Sequence, residues 1–131
     1  ETYVQIHAIK GVSNWTEGAG LGVRVQKSGY QPPVPPAMYV CAVSPDANLL
    51  VLARCPGGSA NDCLIMDQRA LNISIGTPYR IQVVARGLAI DCRLPALGKS
   101  IIYPTLDMPT GGVALVTFYA RASFDYLWVW P

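Results

Sequence analysis

Apolar residues along this chain fall in short bursts in which Val, Ile, Leu or Tyr recurs at every second position, and each burst is bounded by Gly, Pro, Asn or Asp. Alternation of that period between turn-forming residues is the pattern of half-buried strands. It predicts strands over residues 3–9, 21–26, 38–43, 49–54, 79–85, 89–94, 113–119 and 124–130. In the second of these Leu21, Val23 and Val25 share one phase while Gly22, Arg24 and Gln26 share the other. In the fifth, Ile81, Val83 and Ala85 alternate with Arg80, Gln82 and Val84. Such strands bury one face only. Arg86-Gly87 offers the positive φ of a tight hairpin, and Ser44-Pro45-Asp46-Ala47-Asn48 turns the chain between two further strands. Only residues 64–71 have room for a turn or two of helix, and the stretch is short for an isolated one. Eight strands exceed what one small sheet carries, so the pattern predicts an all-β, two-sheet antiparallel sandwich. Its core is expected from Leu21, Val23, Val25, Ile81, Val83, Val113, Leu115, Leu127 and Val129.

Composition narrows the class. At 131 residues the chain fits one domain spanning 1–131, and 51% hydrophobic with 14% charged residues excludes disorder. The longest apolar runs, 49–53 and 127–130, fall far short of the roughly 18 residues that cross a bilayer, so no membrane insertion by this segment is expected. The net charge is +2 with basic residues scattered singly, which is no footprint for nucleic acid. Pro32-Pro33-Val34-Pro35-Pro36 reads as a stiff loop between strands, with a polyproline II ligand as the alternative. No internal repeat appears, which disfavours propellers and solenoids.

Cys41, Cys55, Cys63 and Cys92 are spaced 14, 8 and 29 apart without a C-x-x-C pair, which disfavours zinc knuckles and thioredoxin chemistry. In an oxidising compartment Cys55 and Cys63, flanking a Gly-rich turn, are expected to pair, leaving Cys41 with Cys92; free buried thiols are the alternative. The sequons Asn14-Trp15-Thr16 and Asn72-Ile73-Ser74 suit a secreted eukaryotic chain but are short enough to arise by chance. A chain opening at Glu1 is expected to be a mature form or a domain of something larger, in an extracellular or otherwise extracytoplasmic setting.

Catalytic groups are scarce. There is one histidine, His7, on the polar phase of its strand, where an exposed or hydrogen-bonded role is expected, and there are two glutamates, Glu1 and Glu17. Glycosidase chemistry needs two facing carboxylates, and no such pair is evident; nucleophile-elbow, H-E-x-x-H, Walker A and G-x-G-x-x-G motifs are all missing. The expectation is that the protein is no enzyme.

Three segments carry a family likeness. Gly76-Thr77-Pro78-Tyr79-Arg80-Ile81-Gln82-Val83, then Arg86-Gly87-Leu88-Ala89-Ile90, then the run from Gly111-Gly112-Val113 through Phe124-Asp125 resemble the closing half of the concanavalin A-like lectin/glucanase superfamily, in particular its laminin-G-like domains. Residues 19–25, 38–40 and 49–54 suit the opening half. Three departures stand out: Pro78 occupies a position usually held by Trp, the proline loop 32–36 replaces a stretch usually rich in Gly and Asn, and the paired acidic signature of the catalytic glucanases is missing. The resemblance implies a jelly-roll sandwich, often appended to carbohydrate-active or cell-surface proteins. It also implies a structural calcium with Asp125 as a ligand, strand-end bonding to backbone being the alternative; no other cofactor is expected.

Two functions are expected, the first from the likeness and the second from the aromatic residues of the last segment. In the first, the domain is a non-catalytic carbohydrate-binding or cell-surface recognition module whose ligand-binding residues are Arg24, Gln26, Tyr39 and Arg54, on outward strand phases that the family topology places close together. Arg, Gln and Tyr suit sugars, which offer hydroxyls for hydrogen bonds and C–H faces for aromatic rings. In the second it is a sensory or protein-interaction ectodomain that binds a protein or a neighbouring domain through Tyr126, Trp128 and Trp130. Three aromatics on one outward face are costly to leave in water.

Overall fold

The chain, described by a computed structural model over residues 1–9, 17–26, 37–57, 60–105 and 107–130, alternates strand and turn throughout. Ten strands are described: β1 (Thr2–Ile9), β2 (Gly18–Val25), β3 (Met38–Ser44), β4 (Leu49–Cys55), β5 (Leu64–Ala70), β6 (Pro78–Arg86), β7 (Ala89–Leu94), β8 (Lys99–Pro104), β9 (Gly112–Phe118) and β10 (Ala120–Phe124). They form two antiparallel five-stranded sheets, ordered β10-β1-β6-β7-β8 and β5-β4-β3-β2-β9. This is the two-sheet antiparallel β-sandwich that the alternation predicts. No helix of the described residues is long and apolar enough to cross a membrane.

The main core lies between the sheets. Val4, Ile6, Ile81, Ile90, Leu94 and Ile101 from one sheet meet Leu21, Val23, Val43, Leu50 and Leu52 from the other. Cys41 of β3 is joined to Cys92 of β7, so a covalent bond crosses this core. Strands β3 and β4 are buried on both faces, because Met38, Val40, Ala42, Val51, Ala53 and Cys55 join Phe118 in a second cluster. That double burial is why residues 38–43 and 49–54 read as nearly unbroken apolar runs. Beside them β2 presents glycines to the second cluster's side, and a Cβ at Gly20 would lie 2.0 Å from the Cys41 carbonyl oxygen. Only glycine permits so close a strand approach.

Several expectations are corrected. Residues 64–71 hold a strand, not a helical turn: β5 pairs along β4 from Arg54↔Leu64 to Leu49↔Ala70, so tertiary pairing overrides a weak local preference. Strands β8 and β10 are additions to the pattern-based set, and residues 125–130, expected as the bulk of the last strand, hold none. β8 is an edge strand with Ile101 buried and Ile102 exposed, so two adjacent isoleucines on opposite faces hide the period. Val113 and Leu115 do share the inward phase, opposite Val23 and Leu21, but β9 closes the edge of its sheet and leaves them 39% and 42% exposed. Leu127 and Val129 are exposed as well. The last strand ends at Phe124, and the chain beyond it belongs to no ladder that would alternate its side chains.

Candidate functional site

One end of the sandwich gathers most of the residues of interest. The end of β2, the start of β3, the end of β4, the β6–β7 turn and the connection from β8 to β9 all meet there, as the pairings Val25↔Gly112, Tyr39↔Arg54 and Arg86↔Ala89 require.

Arg24 sits at a β-bulge in the β2–β9 ladder, with φ of 53°. A bulge inserts one residue and reverses the phase of the residues after it. Val25 therefore packs with the second cluster, and Arg24 turns inward and is only 4% exposed. Its guanidinium donates to the Thr105 hydroxyl and to the carbonyls of Gly87 (2.6 Å) and Ala89 (3.3 Å), bridging to the opposite sheet. The outward placement expected from simple alternation is thus corrected. Gln26 turns to the backbone as well, donating to the carbonyls of Arg24 (2.8 Å) and Thr110 (2.7 Å).

Tyr39 is also inward, at 2% exposure, which corrects the expectation of a solvent-facing ring. The cause is its distance of two residues from Cys41: once Cys41 crosses the core to Cys92, Tyr39 must share that face. Its hydroxyl donates to the Asp107 carboxylate, whose other oxygen accepts from Arg54 Nε (2.8 Å) and lies 2.6 Å from the second guanidinium nitrogen. The Tyr39 hydroxyl, with Arg54 as a further donor, holds the Asp107 carboxyl below the usual carboxylate range. Burial, reinforced by Asp107, pushes the Tyr39 phenol up to about 12. Tyr39 and Arg54 thus lie close together, as the strand order implies; Asp107, the group that binds both, carries no sequence signal beyond being a loop aspartate.

A cleft of about 370 Å³ has Arg24 in its lining. Strand β1 covers β6 only between Pro78 and Ile81, and from Gln82 to Arg86 the latter pairs with β7 alone. The uncovered edge of β6 forms one wall. The opposite wall is the segment after β10, held where the Trp128 amide donates to the Glu1 carbonyl (2.9 Å) and the Glu1 amine to the Trp128 carbonyl (2.7 Å). Leu21 and Val23 floor the cleft and Thr110 to Gly112 rim it. Trp128 and Trp130, 57% and 61% exposed, lie with ring centroids 5.8 Å apart on the second wall. The Glu1 carboxylate accepts from Gln82 and lies 3.2 Å from Arg80; these two, the hydrogen bond foremost, lower its pKa. Tyr126 stands apart from the two tryptophans, edge-on to Tyr3 at 5.7 Å. The cleft thus offers aromatic faces, an uncovered backbone edge and a guanidinium, Arg86, to whatever enters it.

Both cysteine pairs form, Cys41–Cys92 and Cys55–Cys63, the second tying the end of β4 to the start of β5. His7 is exposed and hydrogen-bonded to Ser123 at 2.9 Å. Asp125 comes directly after β10, exposed, with its amide 3.3 Å from the Tyr3 carbonyl; among the described residues no group of three or more His, Cys, Asp or Glu gathers to hold a metal ion. The sequon at Asn72 lies between β5 and β6 with Asn72 exposed. The sequon at Asn14 and the proline run 32–36 lie outside the described residues.

No protein-family model matches the chain, and no curated protein matches it by sequence. Its fold is similar to the solved structure of the carbohydrate-binding module CBM66 from Bacillus subtilis, with a TM-score of 0.73 and 16% sequence identity over 94% of this chain and 68% of that one. At that identity the likeness establishes a shared β-sandwich fold.

Proposed function

We propose that this domain is a non-catalytic carbohydrate-binding module and that its glycan sits in the cleft between β6 and the segment carrying Trp128 and Trp130. The observation that carries the reading is the exposed tryptophan pair on the wall of a cleft that also presents an uncovered strand edge. A sugar ring lays its C–H face on an indole and satisfies its hydroxyls from backbone groups and a guanidinium, which is what this cleft provides. The fold likeness to a carbohydrate-binding module supports the same reading. Membership of the concanavalin A-like superfamily and an extracytoplasmic setting belong to the proposal, supported respectively by the motifs in residues 76–90 and 111–125 and by the two disulfides.

Isothermal titration against a panel of polysaccharides is the test, with Trp128→Ala and Trp130→Ala alongside the parent chain. Each substitution should weaken binding about tenfold, the scale of about 1.4 kcal/mol for one aromatic contact. Silence across the panel would overturn the reading.

A second reading has its own observation. Leu127, Trp128, Val129 and Trp130 are all exposed, and the last three line the same cleft as the exposed Val113 of the edge strand β9. An apolar surface of that kind also suits a protein or a neighbouring domain. Stoichiometric capture of a protein that competes with no sugar would favour this reading.

A further inference from the structure

We infer that the saccharide this cleft takes is an acidic one, whose ring carries a carboxylate that meets Arg86. The inference rests on the glycan reading of the cleft and specifies its substrate class.

Charge compensation is uneven along the chain, and Lys99 and Arg121, outside the cleft, also pair with no carboxylate among the described residues. Arg54, Arg69, Arg80 and Arg93 each pair with a carboxylate, from Asp107, Asp67, Glu1 and Asp91 respectively. The two arginines that line the cleft, Arg24 and Arg86, pair with none among the described residues. Arg24 is the more telling. It is almost wholly buried, and its guanidinium donates only to neutral oxygens, the Thr105 hydroxyl and the Gly87 and Ala89 carbonyls. These three bonds engage part of its five N–H donors without cancelling its charge, so a fixed positive field reaches the space nearby.

Arg86 ends β6 on the uncovered edge and is exposed, with its donors available to a ligand. Among the described residues that line the cleft the one side-chain carboxylate, that of Glu1, is already engaged by Gln82 and Arg80. A neutral sugar would leave this field unanswered. A carboxylate on the sugar ring answers it, because its two oxygens match the fork of a guanidinium while the ring keeps its C–H face for the indoles. Beside the low-dielectric walls of the cleft such a pair is screened less than on open surface.

The test titrates uronate oligosaccharides of galacto, gluco and manno configuration, each as the free acid and as the methyl ester, which keeps the ring and removes the charge. For at least one configuration the free acid should bind at least about tenfold tighter than its ester, as expected of a charge-assisted pair, and the margin should shrink with added salt. Arg86→Gln should reduce the acid-to-ester ratio, and Arg86→Lys should keep part of it. Esters or neutral polysaccharides binding as tightly as the acids would overturn the inference and leave the glycan reading intact. Silence from acids, esters and neutral polysaccharides alike would overturn both.

Discussion

Tyr39 and Arg54 stand opposite one another on β3 and β4 and bind the same carboxylate, that of Asp107. The two contacts differ in worth because the partners differ in burial. The Tyr39 hydroxyl belongs to a ring packed in the core, whereas the Arg54 side chain is partly in water, where an ion pair contributes little. Asp107→Ala should therefore destabilise the fold by about 1–3 kcal/mol, chiefly through the stranded phenol. Arg54→Ala should cost less than about 1 kcal/mol. Tyr39→Ala should cost about 3–5 kcal/mol, since it empties part of the core. Chemical denaturation of the three variants checks the order, and an Arg54 variant as damaged as the Tyr39 variant would contradict it.

The Tyr39–Asp107 contact sets both limbs of the pH dependence. The Asp107 carboxyl titrates below its unfolded value, so its contribution is complete above about pH 4 and is lost as the pH falls through the depressed folded value. Half-exposure keeps that loss small. The Tyr39 phenol is raised, so its contribution is complete below its unfolded value near 10 and is lost as the pH climbs towards 12. By the upper end the loss approaches about 2–3 kcal/mol. Thermal melts between pH 9 and pH 12 should show this alkaline limb in the parent chain and a shallower one in Tyr39→Phe.

The two disulfides should differ in weight. Cys41–Cys92 spans 51 residues and Cys55–Cys63 spans 8. On the chain-entropy account the longer loop contributes about 4 kcal/mol and the shorter about 2.5 kcal/mol. The longer bridge also joins the two sheets, whereas the shorter closes a hairpin within one. Paired Cys→Ala substitutions, compared by denaturation midpoint, should rank in that order.

Which parts of the fold are legible in the sequence depends on the physical quantity each signal reports. Alternation reports burial on one face, so it marks the seven strands β1–β4, β6, β7 and β9, but not the edge strands β5, β8 and β10, which leave most of their side chains partly or wholly exposed. It fails at Arg24 because a bulge changes phase without changing composition. At Tyr39 it is mute, since both faces of β3 are apolar; the information lies in Cys41, whose bridge to Cys92 fixes the inward phase two residues away. For residues 124–130 the pattern is present but the sheet is not, so Trp128 and Trp130 are exposed as alternation implies, while their apolar neighbours Leu127 and Val129 do not reach the core. The cleft itself is a property of where β1 stops along β6, which no local pattern encodes.

Gly111 gives a last test, of the rim of the cleft. It has φ of 148°, and a Cβ there would lie 2.5 Å from the backbone carbonyl carbon of Arg24, inside the bulge that turns Arg24 inward. Gly87, in the β6–β7 turn, also has positive φ, 53°, yet a Cβ on it would meet nothing within 4 Å. Gly87→Ala should thus cost only the left-handed conformation, about 1 kcal/mol. Gly111→Ala adds a clash with backbone that cannot swing aside, and should cost about 2–4 kcal/mol by combining that strain with displacement of the loop. Because Gly111 and Gly112 rim the cleft, the displacement should also weaken glycan binding, which Gly87→Ala should leave close to that of the parent chain. Equal denaturation midpoints for the two variants would show that the bulge and the rim are not packed as closely as described.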